Sequence, residues 1–450
     1  MPTLRHLISI DDLSLVEMES IFEKAREFEE DLGGWADICR GRIAATLFYE
    51  PSTRTRLSFE SAMLRLGGGV ISAADMRTSS ASKGESLADT VRVVAGYSDV
   101  LILRHQSEGA ARLAAEYSSV PVINAGDGSH EHPTQTLCDL YSLWCERGHI
   151  EGLDVVFAGD LRYSRTVHSF AYALARFRAN IVCIPQAGFD LPAYVVRRLR
   201  EEFGVEPVKA DASRLGHLAA ASDVVYLTPQ KPHQLSLFTD PKGMSVGHVD
   251  AVYMTRPQTE RFEEGTVLDE TNYLRLNQTQ LAADSLRDAV VMHPLPRRDE
   301  ISSDMDADPR SIYFKQAARG VPIRMAILSS LLETEVVLQG PAVVAGPTWP
   351  SQSAGMACIN PGCICNTEER HVRRSFRLAT RLPLRVSCPY CSQEITFGLV
   401  GCSSRHQFLA RDAREVRKIR PEDMVFFRDE AQGVEAGYSP GAGASQVPPV

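Results

Sequence analysis

Short apolar runs alternate with helical stretches along most of this chain, and this alternation restricts its fold more than any other feature. Residues 14–30 carry apolar side chains at three- and four-residue spacing, which is typical of an amphipathic helix. Residues 42–49 then read as a buried strand and residues 58–66 as a helix. Similar apolar runs recur at Val100–Leu103, Val120–Ile123, Val155–Ala158, Ile181–Ile184, Val224–Leu227, Val252–Met254 and Ala289–Met292. This succession predicts parallel sheets covered on both faces, in two α/β domains rather than one.

The predicted division of the chain follows shifts in composition. The helical pattern stops near residue 335, and the Pro-, Gly- and Ser-rich stretch after it is typical of a linker. The last residues have little to bury and read as disordered. We therefore predict a first α/β domain at residues 1–137, completed by a helix at about 312–335, and a second α/β domain at 138–311. A linker at 336–356, a β-rich cysteine module at 357–430 and a disordered tail at 431–450 would follow.

The net charge and the hydropathy pattern exclude several classes of protein. The chain has 450 residues and a formal net charge of -9, which argues against a protein built to coat nucleic acid or anionic lipid. A small anionic substrate would need only a local positive pocket. The N-terminus reaches Asp11 and Asp12 before any apolar segment of signal-peptide length, and no later stretch approaches a membrane span. We therefore expect a cytoplasmic protein.

A polar segment, Glu50–Glu60, stands where the first buried strand gives way to a helix. Ser52, Thr53, Arg54 and Thr55 would occupy the N-cap and first turn of that helix. Free backbone N–H groups, hydroxyls and a guanidinium would then converge there, which favours a phosphate site. Ordinary helix capping beside a solvent-facing Arg is the alternative. The segment has no Gly-rich Walker loop, so a nucleotide γ-phosphate is not the expected ligand.

Six short motifs resemble those of the transcarbamoylase family, in the family's order over residues 1–335. They are FYEPSTRTR at 48–56, SSASKGE at 79–85, LRH at 103–105, HPTQ at 132–135, the segment 159–165 and HPLPR at 293–297. The last motif, together with TRPQ at 255–258, is characteristic of the aspartate carbamoyltransferases. The ornithine enzymes typically have Cys-Leu-Pro where HPLP stands here.

The resemblance implies both a fold and an activity. The fold would be two parallel-sheet α/β domains of the transcarbamoylase type, followed by the small four-cysteine domain. The activity would be transfer of the carbamoyl group from carbamoyl phosphate to the amine of L-aspartate, which gives N-carbamoyl-L-aspartate and phosphate early in de novo pyrimidine biosynthesis. Because the family extends a loop into the neighbouring subunit's active site, the resemblance also implies a homotrimer with shared sites.

The resemblance assigns roles to two groups of residues. Those expected to act on the reacting groups are Arg54, Thr55, Lys83, Arg104 and His132. Those expected to bind substrate are Ser52, Thr53 and Ser79 near the phosphate, Gln135 with the backbone carbonyls of Pro294 and Leu295 at the carbamoyl nitrogen, and Arg165, Arg256 and Gln258 at the aspartate carboxylates. Such donors suit the reaction, because a tetrahedral carbon gains negative oxygen charge and guanidiniums make bidentate contacts with carboxylates. The departing phosphate can take the amine proton, so no protein base is required.

Three of these residues also have a structural interpretation. Ser79 and Lys83 lie in a Gly- and Ser-rich stretch that by composition is a flexible surface loop. A His before a Pro, as at His132, is often a helix-entry residue. The presence of Arg104 and Gln135 among the other motif residues favours the catalytic interpretation of His132.

Six of the ten cysteines lie in the C-terminal quarter of the chain. Two closely spaced pairs have the pattern of a tetrahedral structural zinc site: Cys358 with Cys363, and Cys388 with Cys391. Cys365 is an alternative ligand, and Cys402 is expected outside the cluster. Buried hydrophobic thiols are the alternative interpretation of the pairs. A module this short would gain folding free energy from bound Zn²⁺.

The cysteine frame resembles the zinc domain of the aspartate carbamoyltransferase regulatory chain, whose usual task is to contact catalytic chains. The interval between Glu335 and Cys358 leaves no room for the nucleotide-binding domain that precedes it there, so we expect no ATP or CTP site on this chain. Six arginines between residues 370 and 385 make the module locally basic. Protein contact is nevertheless favoured over nucleic-acid binding.

Two other functions and one local feature stay open at this point. The chain could be a catalytically inactive scaffold that acts through its zinc module, although a scaffold has no need of so many convergent polar groups. It could also be a zinc-dependent regulator that binds nucleic acid through residues 356–430. Residues 228–249 look enlarged relative to the family pattern directly before Arg256, so the resemblance does not define the shape of the aspartate-side loop.

Overall fold

The computed structural model describes residues 4–73, 84–219, 221–228, 248–256, 275–282, 284–332, 348–350, 358–367, 372, 375–381, 384–395 and 397–441. These residues form two parallel sheets with flanking helices, followed by two small and mainly antiparallel sheets. The predicted fold class, two parallel-sheet α/β domains followed by a β-rich cysteine module, is confirmed. No helix among the described residues is long and apolar enough to cross a bilayer.

The first sheet has four parallel strands, and helices flank it. The strands are β1 (Ile43–Phe48), β2 (Gly69–Ala73), β3 (Val100–His105) and β4 (Val122–Asp127), and the helices are α1 (Leu15–Glu30), α2 (Thr53–Arg65), α3 (Leu87–Ala95) and α4 (Ala110–Tyr117). Their order in the sheet is β2-β1-β3-β4. Strands β1, β3 and β4 are buried along nearly their whole length, as strands covered on both faces should be. The edge strand β2 is largely exposed.

The second sheet has six parallel strands. They are β5 (Asp154–Gly159), β6 (Asn180–Pro185), β7 (Val208–Lys209), β8 (Val224–Thr228), β9 (Ala251–Met254) and β10 (Val290–Met292), with helices α6 (Arg165–Arg176), α7 (Ala193–Phe203), α8 (Leu215–Ala219) and α9 (Gln278–Leu281). Their order is β10-β9-β8-β5-β6-β7. Strands β8 and β9 have similar sequences and are direct neighbours, so Tyr226 and Tyr253 stand side by side with ring centroids 4.2 Å apart.

Two long helices connect the sheets. Helix α5 (Pro133–Arg147) follows the last strand of the first sheet and leads to the second, and α10 (Tyr313–Leu332) returns after the second sheet to pack against α1, α2 and α5. The largest apolar core contains side chains from both sheets and from these helices. The helix predicted at about 312–335 is therefore α10, and it packs on the side of the first sheet.

The C-terminal module contains two small sheets. The first is formed by β11 (Thr348–Pro350), β12 (Ser375–Arg381), β13 (Leu384–Ser387) and β14 (Glu394–Ile395) in that order, with helix α11 (Ile364–Thr367) beside them. The second contains β15 (Leu399–Cys402), β16 (Gln407–Ala410), β17 (Met424–Phe427) and β18 (Ser439–Pro440), with helix α12 (Glu430–Glu435) before the last strand. Its order is β17-β15-β16-β18.

Two predicted boundaries of this module differ from the structure. Strand β11 lies within the predicted linker at 336–356 and pairs with β12. Helix α12 extends into the predicted disordered tail at 431–450 and strand β18 lies inside it, so the ordered chain runs to Gly441. The composition of the tail gave no indication that Tyr438 packs. Its ring lies against that of Phe427, with centroids 5.1 Å apart. Residues 442–450 lie outside the described residues.

The C-terminal module packs on the first sheet of the same chain through a short stretch of paired backbone. Glu108, in the turn between β3 and α4, donates from its N–H to Gly362 O at 2.9 Å and accepts from Ile364 N at 2.9 Å. The Glu108 carboxylate also accepts from Asn360 Nδ2 at 2.7 Å. Backbone pairing of this kind fixes both the position and the register of the module on the body.

Apolar packing and charge pairs support the same contact. Gly109, with φ +82°, approaches so closely that an added Cβ would lie 2.5 Å from Tyr390 Cβ. Tyr390 OH donates to Glu116 Oε2 at 3.1 Å beside the first sheet, and Arg385 pairs at 3.0 Å with Glu201 of α7, beside the second sheet. One apolar cluster contains side chains of the first sheet and of the module together. The module is thus bound in cis, by the turn that directly follows β3.

Candidate active site and metal centre

A cavity of about 490 Å³ opens at the carboxyl ends of the parallel strands, the usual location of ligand sites in open α/β sheets. Of the fourteen site residues predicted from the sequence, eleven line it: Ser52, Thr53, Arg54, Thr55, Arg104, His132, Gln135, Arg165, Arg256, Pro294 and Leu295. The other three, Ser79, Lys83 and Gln258, lie outside the described residues, as does most of the segment 228–249. Residues far apart in the sequence therefore share one cavity.

The N-terminus of α2 forms one wall of the cavity. Ser52 stands at its N-cap with φ -157° and ψ 90°, yet the side chain makes no capping hydrogen bond. The Ser52 hydroxyl instead donates to Thr55 Oγ1 at 3.0 Å. No side-chain cap therefore competes with an anion for the first backbone N–H groups of α2, and the alternative of ordinary capping is wrong.

Two further helices present uncapped N-termini to the same cavity. Helix α5 has His132 at its N-cap and α6 has Ser164, and neither side chain makes a capping hydrogen bond. By contrast, α1 and α3 do not line the cavity, and Ser14 and Ser86 cap them. The positive ends of three helix dipoles thus converge where an anionic ligand would be stabilised.

Arginine side chains add full positive charge to the cavity. Arg104 Nη1 donates to Ala125 O at 3.1 Å, and Arg165 Nη1 donates to Gly128 O at 2.7 Å. Burial lowers the pKa of Arg104 to about 9, and the neighbouring Arg165 lowers it as well. Glu50 Oε2 lies 3.2 Å from Arg104 and 3.7 Å from Arg165. The described lining residues include five guanidiniums and one carboxylate, that of Glu50. A bound anion would therefore offset an excess of positive charge.

Gly126, at the end of β4, allows these groups to approach one another. Its φ is +116°, a conformation that side chains disfavour. A Cβ added here would lie 3.0 Å from Arg104 Nη1, 3.3 Å from Arg165 Nη1 and 3.4 Å from His132 Cδ2. Three predicted site residues therefore meet around a single glycine, which the sequence analysis did not identify.

The start of α5 brings His132 and Gln135 to the cavity. His132 is 5% exposed, and its Nδ1 lies 3.4 Å from Thr134 Oγ1. Gln135, one turn into the helix, donates from Nε2 to Asp139 Oδ1 at 2.8 Å. The motif His-Pro-Thr-Gln is thus a helix entry, as its composition suggests, and it also lines the cavity.

Arg256 reaches the cavity from the second sheet, directly after β9. Partial burial lowers the pKa of Arg54, and the nearby charge of Arg256 lowers it further. The two guanidiniums therefore lie close enough to repel, although they belong to different sheets. Such a pair suits a ligand that has more than one anionic group.

The loop after β10 presents Pro294 and Leu295 to the cavity. His293 holds the loop from behind: its Nδ1 accepts from Leu295 N at 2.8 Å, and its Nε2 lies 2.8 Å from Glu300 Oε1. Burial lowers the pKa of His293, which agrees with a structural role for this side chain. Leu295 has φ +50°, an uncommon conformation for a residue with a side chain.

Some residues of the cavity were missed by sequence reasoning. Glu50 belongs to a recognised motif but received no role, although it lies between Arg104 and Arg165. Arg324 of α10 also lines the cavity, donates from Nη1 to Gly320 O at 2.8 Å, and stacks on the Phe59 ring at 4.9 Å. Arg324 lies outside all of the recognised motifs, 27 residues after Arg297, so the sequence gave no signal for it.

The C-terminal module brings four sulfur atoms together. Ligand atoms of Cys358, Cys363, Cys388 and Cys391 all lie within 4.8 Å of one another, so the predicted set can hold a single metal ion. Cys365 Sγ lies 3.7 Å from Cys388 Sγ and remains an adjacent fifth thiol.

Two tight loops position these sulfurs. In one, Cys388 N donates to Gln393 O at 2.8 Å, Ser392 N donates to Cys388 O at 3.1 Å, and Ser392 has φ +62°. In the other, Cys363 N donates to Asn360 O at 3.1 Å. Cys402, expected outside the cluster, has its Sγ 3.1 Å from Ser404 Oγ.

Three protein-family models match this chain. They are the carbamoyl-phosphate binding domain of aspartate/ornithine carbamoyltransferase at residues 5–144, the Asp/Orn binding domain of the same enzymes at residues 228–331, and the metal-binding domain of the aspartate carbamoyltransferase regulatory chain at residues 354–400. The matches cover parts of both sheets and the cysteine cluster.

Individual relatives agree with these models. The aspartate carbamoyltransferase catalytic subunit of Methanococcus maripaludis strain C5 is 45% identical over 339 residues, which are 74% of this chain and 100% of that protein. A solved structure of the catalytic subunit of M. jannaschii aspartate transcarbamoylase is 42% identical, with a TM-score of 0.59 over 74% of this chain and 99% of its own. The Trypanosoma cruzi enzyme in complex with carbamoyl phosphate and aspartate is 32% identical, with a TM-score of 0.58 over 74% and 99% of the two chains.

Proposed function

This chain belongs to the aspartate and ornithine carbamoyltransferase family, and we propose that it transfers the carbamoyl group of carbamoyl phosphate to the amine of L-aspartate. The products are N-carbamoyl-L-aspartate and phosphate, and the reaction serves pyrimidine biosynthesis. The observation that carries this proposal is the cavity in which uncapped helix N-termini and the five guanidiniums of the described lining meet the loop at residues 293–296. No observation favours an inactive scaffold.

The phosphate group of the donor substrate binds at the start of α2. Backbone N–H groups, the hydroxyls of Ser52, Thr53 and Thr55, and the Arg54 guanidinium supply hydrogen-bond donors for its oxygens. Lys83 and Ser79 would reach the same group from a neighbouring subunit. This arrangement suits a leaving group whose negative charge grows as its bond to carbon breaks.

The carbamoyl group lies between α5 and the loop after β10. The amine of aspartate attacks the carbonyl carbon, and a tetrahedral centre forms whose oxygen carries negative charge. His132, Thr55 and Arg104 donate hydrogen bonds to that oxygen, while Gln135 and the carbonyls of Pro294 and Leu295 accept from the carbamoyl nitrogen. The centre then collapses, the bond to the phosphate oxygen breaks, and the phosphate takes the amine proton.

The acceptor substrate binds on the side of the second sheet. Arg165 and Arg256 each present a guanidinium to one of its carboxylates, with Gln258 as a further contact. A bound anion between Arg54 and Arg256 offsets the repulsion that lowers the pKa of Arg54.

A steady-state assay with aspartate and ornithine in parallel tests the activity. The purified chain should form N-carbamoyl-L-aspartate and should not form citrulline. A preparation that makes no carbamoyl-aspartate, or that prefers ornithine, contradicts the proposal.

We propose that the metal held by the four cysteines is a structural Zn²⁺. Four thiolates in a closed tetrahedral set favour zinc and leave no position for a substrate. The metal content of purified protein should be about one zinc per chain. Iron or copper at that stoichiometry would contradict the assignment.

We propose that the chain acts as a homotrimer with shared sites. Exposed apolar side chains on α2 support this assembly: Leu57 and Leu64, seven residues apart on one side of the helix, are 49% and 60% exposed. Mixing Arg54→Ala chains with Lys83→Ala chains should restore activity that neither variant has alone, because one site in a mixed trimer receives both intact residues. A monomeric protein in size measurements would contradict the proposal.

We also propose that the protein works in the cytoplasm. All ten cysteines are free, and metal-ligating thiols persist most readily in a reducing compartment. Fractionation of source cells, with detection of the chain in the soluble cytoplasmic fraction, tests this location.

A further inference from the structure

A chain of hydrogen bonds determines which end of the Gln135 amide is held away from the substrate. It begins at the backbone N–H of His293, which can only donate and which donates to Gln316 Oε1 at 2.9 Å. Gln316 must therefore present its nitrogen at the other position, and Nε2 donates to Asp139 Oδ1 at 2.7 Å. Gln135 Nε2 donates to the same carboxylate oxygen at 2.8 Å.

The side-chain amide of Gln135 has one donor end and one acceptor end. Because Asp139 accepts from Nε2, the carbonyl oxygen is the group that Gln135 offers to the cavity. A carbamoyl group has an NH₂ that can donate to this oxygen, whereas an acetyl group has a methyl that cannot. An acyl phosphate would leave the oxygen without a partner in a partly buried site, which costs free energy.

We propose that Asp139 is a positioning residue that makes this site selective for a carbamoyl phosphate over an acyl phosphate, by fixing the orientation of the Gln135 amide. The inference rests on the proposed function, since it assumes that Gln135 contacts the carbamoyl nitrogen. Asp139 does not line the cavity and touches the substrate only through Gln135.

The surroundings of Asp139 require a hydrogen-bond acceptor there. Its side chain is 2% exposed, and Tyr253 OH donates to Oδ2 at 2.8 Å, so three donors converge on one carboxyl group. Burial raises the pKa of Asp139 to about 7, while the hydrogen bonds from Gln135, Gln316 and Tyr253 and the charge of Arg324 oppose that rise. Since all three neighbours donate, the geometry depends on an acceptor rather than on negative charge.

This reasoning predicts opposite results for two substitutions. In Asp139→Asn, the fixed Gln316 donor requires the new carbonyl oxygen to occupy the Oδ1 position, so Gln135 keeps its orientation and the new NH₂ faces the Tyr253 hydroxyl. In Asp139→Leu, a side chain of similar size offers no acceptor, and the Gln135 amide becomes free to turn. Only the second substitution should affect the choice of substrate.

The experiment compares carbamoyl phosphate as substrate with acetyl phosphate as competitive inhibitor in the full-length protein. In Asp139→Leu, the KM for carbamoyl phosphate should rise roughly 10- to 100-fold, while the inhibition constant of acetyl phosphate changes less than about 3-fold. The KM for aspartate at saturating carbamoyl phosphate should stay within about 3-fold of its original value. In Asp139→Asn, the ratio of the KM for carbamoyl phosphate to the inhibition constant of acetyl phosphate should stay within about 3-fold of its original value.

Tyr253→Phe is the matched control, because it removes a donor to the same carboxylate without touching Gln135. Tyr253→Phe should leave the ratio of the KM for carbamoyl phosphate to the inhibition constant of acetyl phosphate unchanged. The proposal is overturned if Asp139→Leu keeps the original ratio, or if Tyr253→Phe raises the ratio as much as Asp139→Leu does. Where Asp139→Leu does not fold, a loss of discrimination above about 10-fold in Asp139→Asn overturns it instead, since that result would make charge the important property.

Failure of this inference is distinct from failure of the proposed function. A chain that forms no carbamoyl-aspartate in its unaltered form refutes the activity itself. A chain that forms the product but keeps its discrimination in Asp139→Leu refutes only the role of Asp139.

Discussion

The cavity and the cysteine cluster each gather groups of like charge, but they differ in what holds those groups in place. The guanidiniums around the cavity come from separate helices, strands and loops that are anchored in large apolar cores. The four sulfurs lie on two tight loops of a small module, within 4.8 Å of one another. Thiolates this close repel one another unless a cation stands between them.

Because of this difference, ligand loss should affect the cavity and the cysteine cluster in different ways. The cavity can lose its ligand and keep its shape, because the elements around it are stabilised elsewhere. The cysteine loops also pack in an apolar cluster, which the module shares with the first sheet, but their four sulfurs repel one another without a cation, so loss of the metal should open these loops. The two sites therefore respond to mutation in different ways: the cavity should lose turnover at constant stability, and the cluster should lose structure first.

The largest effect is expected at the cluster. Cys388→Ser removes one ligand of the tetrahedral set, and structural zinc sites contribute on the order of 10 kcal/mol of folding free energy. The variant should contain no metal, and the residues after Cys388 should become sensitive to protease. The two parallel sheets should stay folded and carbamoyl transfer should persist, as expected for a structural metal.

Cys402→Ser is the matched control for the cluster, because Cys402 is a buried thiol of the same module whose sulfur bonds Ser404. It should keep its metal and its resistance to protease. A Cys388→Ser protein with full metal content, or an intact trimer in which chelation alone stops turnover, would contradict the division of roles.

The next effect is expected at the cavity. Arg54→Ala removes a guanidinium that meets the substrate phosphate, and kcat/KM should fall by roughly 10³-fold or more. The thermal midpoint should change by less than about 2 °C, because Arg54 is exposed at the start of a helix. The paired measurement is a kinetic assay with thermal unfolding of the same preparation.

Arg56→Ala provides the comparison on the same helix. Arg56 pairs with Glu60 at 3.4 Å and with Ser72 at 3.1 Å, and it does not line the cavity. Its removal should change kcat/KM by less than about 10-fold. Equal losses in Arg54→Ala and Arg56→Ala would show that the helix start is not a specific phosphate site.

The architecture of the body was predictable because its strands are long apolar runs in a regular rhythm. Strands such as β1 and β3 are buried on both faces, so burial itself produces the sequence signal. The exposed edge strand β2 lacks that signal and begins in a glycine run that reads as a helix stop. Strand β7, with two exposed residues, was missed for the same reason.

The candidate site divides in a similar way. Chemically distinctive residues in local motifs, such as Arg54 and His132, were predicted and line the cavity. Residues whose importance depends on tertiary contacts were not: Gly126 matters through its backbone angle, and Asp139 through partners on three different elements. The packing of the module in cis depends on backbone pairing at Glu108, which no side-chain pattern records.

A moderate effect is expected where the cavity depends on its backbone. Gly126→Ala adds a Cβ within 3.4 Å of three site residues and forces a side chain into a disfavoured conformation, which costs about 1–3 kcal/mol. The free energy of unfolding and kcat/KM should both decrease, kcat/KM by roughly 10- to 100-fold. Gly152→Ala also has a positive φ, +74°, but open space around it, so it should lose stability without losing turnover.

The smallest effect is expected at the contact between the two regions. Glu108 and Asn360 form one side-chain hydrogen bond of 2.7 Å across it, beside the backbone pairing of Glu108. A double-mutant cycle with Glu108→Ala and Asn360→Ala should give a coupling free energy of about 0.5–1.5 kcal/mol for opening of the module, measured by hydrogen exchange in the zinc-loaded protein. The exposed pair of Arg385 and Glu201 should give less, about 0–1 kcal/mol. Because the backbone bonds to Gly362 and Ile364 survive both substitutions, the module should stay bound in every variant, and a module released by Asn360→Ala alone would show that side chains rather than paired backbone hold it to the body.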